Sequence, residues 1–119
     1  MPAQPIDFGQ LLASREMVWK DDAGNPHSAF VDIGVPQVES PTAGDEGAGW
    51  FCTVRLRNFG DDRVRYASGE DAVQAMHLVL VLAGALVTSR LKGKRSEWAG
   101  LPNYGFPSAD QLNQGSDTV

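Results

Sequence analysis

The chain has 119 residues, a mass of 12.8 kDa and a formal net charge of -5, with 42% hydrophobic and 21% charged residues. That size gives one domain with enough buried surface for a real core. Ten basic against fifteen acidic residues exclude a general nucleic-acid binder, which needs a net positive field, and a single cysteine excludes an internal disulfide or any multi-cysteine metal site.

Residues 1–13 are a proline-containing lead-in with a few apolar residues, Ile6, Phe8, Leu11 and Leu12, expected to be partly ordered. The start carries neither a basic n-region nor an apolar h-region, so no secretory signal is expected. A lone cysteine and the lack of an Asn-x-Ser/Thr acceptor suit a reducing compartment, and the expected location is the cytoplasm. From Ser14 to Lys20 a strand is expected, with Met17 and Trp19 on one face. Asp21-Asp22-Ala23-Gly24-Asn25-Pro26 is dense turn chemistry. Ala29, Val31, Ile33 and Val35 then alternate with Phe30, Asp32 and Gly34, the period of a strand, and the two runs form a hairpin.

Residues 36–49 hold two prolines and three glycines and read as a loop; these glycines neither follow a strand nor open a helix, as a phosphate cradle requires. Trp50 to Arg57 is the clearest strand, with Trp50, Cys52, Val54 and Leu56 on one face and Phe51, Thr53, Arg55 and Arg57 on the other. Asn58 to Asp62 turns the chain, and Arg63 to Ala67 returns as a strand with Val64 and Tyr66 facing inward.

The period then changes to that of a helix, expected over Glu70–Lys92. Ser68 with Asp71 three residues on resembles a capping box, and Gly93 is the natural stop. At 100° per residue Val73, Met76, Leu80, Ala83, Val87 and Leu91 form one stripe, continued by Ala72, Ala75, Val79, Leu82 and Leu86. The apolar arc is roughly 200° wide, about twice that of a simple amphipathic helix, and Leu78 and Val81 lie outside even that. The run from Ala72 to Val87, interrupted by Gln74 and His77, is too short to span a bilayer, and no membrane contact is expected. Whatever covers the rest of the helix is either the lead-in with the Trp98–Phe106 segment or a second protein chain. Ser96 to Gly100 reads as a short last strand or an extended cover. The domain therefore spans 14–107, and the tail from 108 to 119 is polar and expected to be disordered.

The expected fold is α+β: an antiparallel four-stranded sheet of two hairpins, one long helix on one face, and a short C-terminal strand or cover. No catalytic, cofactor or metal motif emerges. Cys52, on the inward strand face, reads as a small buried apolar group, and His77 as a half-buried helix residue without a positioned partner. Arg55, Arg57, Arg63 and Arg65 are expected to point out of one sheet face. Like charges across strands need neutralising, either by Glu16 and Asp32 from the first hairpin or by an acidic ligand or protein surface. With Leu78, Val81 and Leu82 on the helix, these arginines form the expected interaction surface.

The stretch Trp50-Phe51-Cys52, the run Gly69-Glu70-Asp71-Ala72-Val73-Gln74-Ala75, and the later Trp98 and Gly105-Phe106-Pro107 resemble a family of small uncharacterised bacterial domains. That family shows a Trp-x-Cys strand and a Gly-x-Asp-x-x-Gln-Ala helix start over about residues 15–107. The resemblance implies a small α+β domain and supplies no activity and no catalytic residues. The function class expected is a non-enzymatic protein-binding module of immunity or antitoxin type, with a protein partner or a homodimer and without metal. The alternative is a small enzyme or small-molecule binder with a pocket between sheet and helix, using Tyr66, Arg65 and His77.

Overall fold

A computed structural model describes residues 6–39, 49–92, 95–96 and 102–108. Its elements run β1 (Leu11–Lys20), β2 (Pro26–Gly34), β3 (Gln37–Val38), β4 (Trp50–Arg57), β5 (Arg65–Gly69), α1 (Ala72–Arg90) and β6 (Arg95–Ser96), followed by a single 3-10 turn, Pro102–Gly105. The fold is α+β, with all strand pairs antiparallel.

The first hairpin closes on Asp21, whose Oδ1 accepts the amides of Ala23 at 3.0 Å and Asn25 at 2.9 Å. Gly24 supplies the left-handed residue, with φ +86°, which glycine adopts without Cβ conflict. β1 then pairs β2 with Met17 opposite Ala29 and Ser14 opposite Asp32. β2 pairs β4 with Asp32 opposite Arg55 and Ile33 opposite Val54. Past Val35-Pro36 the pairing shifts by one residue, and β3 continues along the same edge of β4, Gln37 opposite Phe51. β5 pairs the other edge of β4, with Val54 opposite Arg65, and β6 adds to β1 at Trp19 and Lys20.

The core lies between the sheet and α1. Met17, Val31, Cys52, Val54 and Leu56 supply the sheet side, and Ala75, Val79, Ala83 and Val87 the helix side. Ala83, Val87 and Leu91 of the expected stripe are buried, with Ala75 and Val79 from its continuation, but the other three residues of the stripe are not. Val73 is 74% exposed, and Met76 and Leu80 sit at the margin, half-buried and packed against the core. Small residues let α1 approach closely. A Cβ on Gly69 would lie 2.5 Å from the Ala75 amide nitrogen and 3.0 Å from its Cα. The Gly-x-Asp-x-x-Gln-Ala run is thus the joint between β5 and α1.

Asp71, not Ser68, is the N-cap. Its carboxylate accepts the Gln74 amide at 2.8 Å, and the Gln74 side chain accepts the amide of Glu70, the residue before the cap, at 2.6 Å, an arrangement close to a capping box and three residues later than the sequence suggests. By length and apolar content α1 resembles a membrane-crossing helix, yet it packs along β4 and β5. Beside it, Tyr104 and Phe106 from the C-terminal turn join the core. Phe8 of the lead-in goes instead to the opposite sheet face, where Thr53 donates to its carbonyl at 2.8 Å. Trp98, the tail and most of the 36–49 loop lie outside the described residues.

Candidate functional site

The sheet face turned away from α1 is built by alternation. Ser14 and Glu16 of β1, Phe30 and Asp32 of β2, Thr53, Arg55 and Arg57 of β4, and Tyr66 of β5 all point the same way. At its centre Asp32 is fully buried. Its Oδ2 accepts Arg55 Nε at 3.2 Å, Arg55 Nη2 at 3.0 Å and Arg57 Nε at 2.6 Å; its Oδ1 accepts Arg57 Nη2 at 3.1 Å and the Ser14 hydroxyl at 2.7 Å. Burial pushes this carboxyl up, but the hydrogen bonds from Arg57, Ser14 and Arg55 outweigh it, and its pKa falls below the ordinary value. The same contact raises the Arg57 guanidinium, with further help from Asp62.

Each guanidinium also covers an aromatic ring. Arg55 lies 4.2 Å from the Phe8 centroid and Arg57 4.5 Å from that of Phe30, distances suited to cation–π attraction. Two positive groups are therefore held in fixed planes over one buried negative charge. Their side chains remain 33% and 44% exposed. Of the two internal neutralising groups expected, Asp32 takes this role, while Glu16 stands exposed on the same face.

The row of four arginines does not exist. β5 starts at Arg65 rather than Arg63, and the Val54–Arg65 pairing turns Arg65 to the helix face. There Arg65 Nη2 and Arg90 Nη2 reach Asp61 Oδ2 at 2.9 and 2.7 Å, while the exposed Arg63 lies 4.0 Å away. Backbone and guanidinium donors, first the Arg63 amide and then Arg65, bring the Asp61 carboxyl down to about 2. Tyr66, expected inside, is 45% exposed on the opposite face, edge-on to Phe51 at 6.0 Å, and Val64 is half-buried ahead of the strand. His77 is exposed on α1 rather than half-buried. Tyr66, Arg65 and His77 thus do not converge on one pocket.

A cavity between sheet and helix does exist, but elsewhere. Val31, Ile33, Leu80, Phe106 and the β1 residues Ala13 to Arg15 line a half-open pocket of about 130 Å³. Arg15 is its charged group; it lies 4.6 Å from the Phe106 ring centroid and donates to the Tyr104 carbonyl at 3.0 Å, and burial lowers its pKa. Leu78, Val81 and Leu82 are all half-buried on α1, Leu82 against the core. Cys52 is fully buried, donates to the Gly34 carbonyl at 3.0 Å, and burial raises its thiol pKa. Among the described residues no group of three or more His, Cys, Asp or Glu is placed to hold a metal ion.

Sequence reading missed Ser14, Phe8 and Phe30 as partners of the arginine pair, the ion pairs that join Asp61 to Arg65 and Arg90, and the placement of Arg15 beside the Phe106 ring. For Ser14 and Phe30 a signal existed, since the hairpin register set by the Asp21 turn puts both on the Asp32 face. For Phe8, Asp61, Arg90, Arg15 and Phe106 the contacts join distant segments and leave no local pattern.

No curated protein and no solved structure matches the chain. A family model described as a domain of unknown function (DUF6968) matches residues 13–108, which take in β1 from its third residue, β2 to β6, α1 and the C-terminal turn. Since that match takes in most of the sequence, the chain belongs to the DUF6968 family.

Proposed function

We propose that the chain is a binding module whose partner is a protein presenting exposed carboxylates, docked on the sheet face opposite α1. The observation that carries this reading is the Arg55–Asp32–Arg57 cluster. Its two guanidiniums are fixed by a buried carboxylate and two rings and are still partly exposed. Little side-chain freedom remains to be lost on binding, which is the main cost of using arginine. Exposed Tyr66 and half-buried Phe30 stand on the same face, and Tyr and Arg are the residues that most often anchor interfaces. Partners of immunity or antitoxin type fall within this reading, and the cytoplasm remains the expected location.

The test is retention of partner proteins from source cells by the wild-type chain and by an Arg55→Gln/Arg57→Gln double variant, with any retained protein then purified and titrated. The expected result is a carboxylate-rich partner whose affinity falls at least tenfold in the variant, about 1.4 kcal/mol. Equal affinity of both chains for every retained protein would contradict the proposal.

A second reading rests on the cavity beside Arg15, which suits a small molecule with an apolar body and an anionic end. It predicts that Leu80→Trp, which fills the cavity, abolishes ligand binding without affecting protein partners. The expected helix contact through Leu78, Val81 and Leu82, with a partner or a second copy, has weaker support, because all three are half-buried.

A further inference from the structure

Asp61 sits where the β4–β5 turn meets the last turn of α1. Its Oδ1 accepts the Arg63 amide at 3.0 Å and fixes the turn. Its Oδ2 takes both Arg65 Nη2 and Arg90 Nη2, and the Arg63 guanidinium approaches the same atom. Three guanidiniums therefore share one carboxylate, an excess of two positive charges in a chain whose net charge is -5.

The donor count is equally unbalanced. Each guanidinium carries five N–H donors, and Asp61 engages one nitrogen of Arg65 and one of Arg90. Arg65 Nη1 is buried with no hydrogen-bond partner, an arrangement that proteins seldom leave in place. Arg63 is 72% exposed and Arg90 34% exposed along their side chains, so the cluster opens to solvent on the Arg63 and Arg90 side. Arg90 also complements the negative end of the helix dipole, but this accounts for one cation of three.

We propose that this cluster is an oxyanion site that takes a phosphate-type dianion, with Arg63 and Arg90 as its main contacts and Arg65 and Asp61 holding them in place. A tetrahedral dianion matches the charge excess, and arginine forks fit its oxygens in pairs. The site is separate from the Arg55–Arg57 face, on the other side of the sheet.

The test is a titration with inorganic phosphate at ionic strength held constant with chloride, following the side-chain Nε–Hε NMR signals of the arginines. The expected result is saturable movement of the Arg63, Arg65 and Arg90 signals, with half-saturation near 1 mM, a typical weak single-site affinity. Arg90→Gln should weaken binding about tenfold and Arg63→Gln at least threefold. Arg63 is exposed, so its variant retains the fold and keeps the test valid if Arg90→Gln unfolds. A linear drift equal to that caused by chloride overturns the proposal. So does saturation centred on Arg55 and Arg57, or saturation that neither substitution weakens.

Discussion

Replacing Asp32 with Asn keeps the shape of the side chain and removes its charge from beneath two guanidiniums. Hydrogen bonds to charged groups contribute about 1.5–3 kcal/mol each in buried settings, and removing one member of a fully buried pair costs about 3–5 kcal/mol. Arg55 and Arg57 are 33% and 44% exposed, so water screens part of each attraction and both can swing outward. Discounting by about half gives an expected loss of roughly 2–3 kcal/mol for the two pairs together. The assay is urea unfolding at pH 7, read from tryptophan fluorescence, since Trp19 and Trp50 are half-buried against the core. The slope with urea should be unchanged and the midpoint lower. A loss below about 1 kcal/mol would mean that the carboxylate does not hold the arginine pair and that the preorganisation argument is wrong.

Val79→Ala should cost about 1–3 kcal/mol because the side chain is fully buried, whereas Val73→Ala, at 74% exposure, should change stability by less than about 0.5 kcal/mol; the reverse order would mean the helix is rotated. Gly69→Ala places a methyl against the Ala75 backbone, where no flexible side chain can yield, and should lower the unfolding midpoint by about 1–3 kcal/mol equivalent. The Asp61 carboxyl is depressed from 3.8 to about 2. Its contribution is therefore complete above about pH 4 and is lost as the pH falls toward 2, and Asp61→Asn should flatten that part of the stability profile. Cys52 should resist iodoacetamide in the native chain and react on unfolding, because the thiol is buried and its pKa raised; rapid native alkylation would contradict its placement.

Strict alternation made β4 legible to the residue, and the dense turn chemistry at Asp21 to Pro26 placed the first hairpin. Both signals are local. β5 was legible as a strand but not in its phase. The turn after β4 runs two residues longer than expected, and in a strand the pairing register decides which face each side chain takes. That phase separates Arg65 from Arg55 and sends Tyr66 outward. The apolar arc of α1 was legible and contains Ala75, Val79, Ala83 and Val87, but not which part of it faces the sheet, because the arc is so wide that the 3.6-residue period carries little contrast. Close approach to Gly69 decides it, favouring Ala75, Val79 and Ala83. Asp32 was legible as a neutralising group from its parity with Arg55 and Arg57. Its complete burial was not, since a lone carboxylate is buried only when paired and the pairing spans three strands.

The docking face is tested most directly by hydroxyl-radical footprinting of the chain, free and bound to the protein it retains. The account predicts that Tyr66 and Phe30 lose reactivity on binding while Met76 and Leu78 of α1 keep theirs. Protection of Met76 and Leu78 with Tyr66 and Phe30 unchanged would move the interface to the helix and contradict the assignment of the Arg55–Arg57 face.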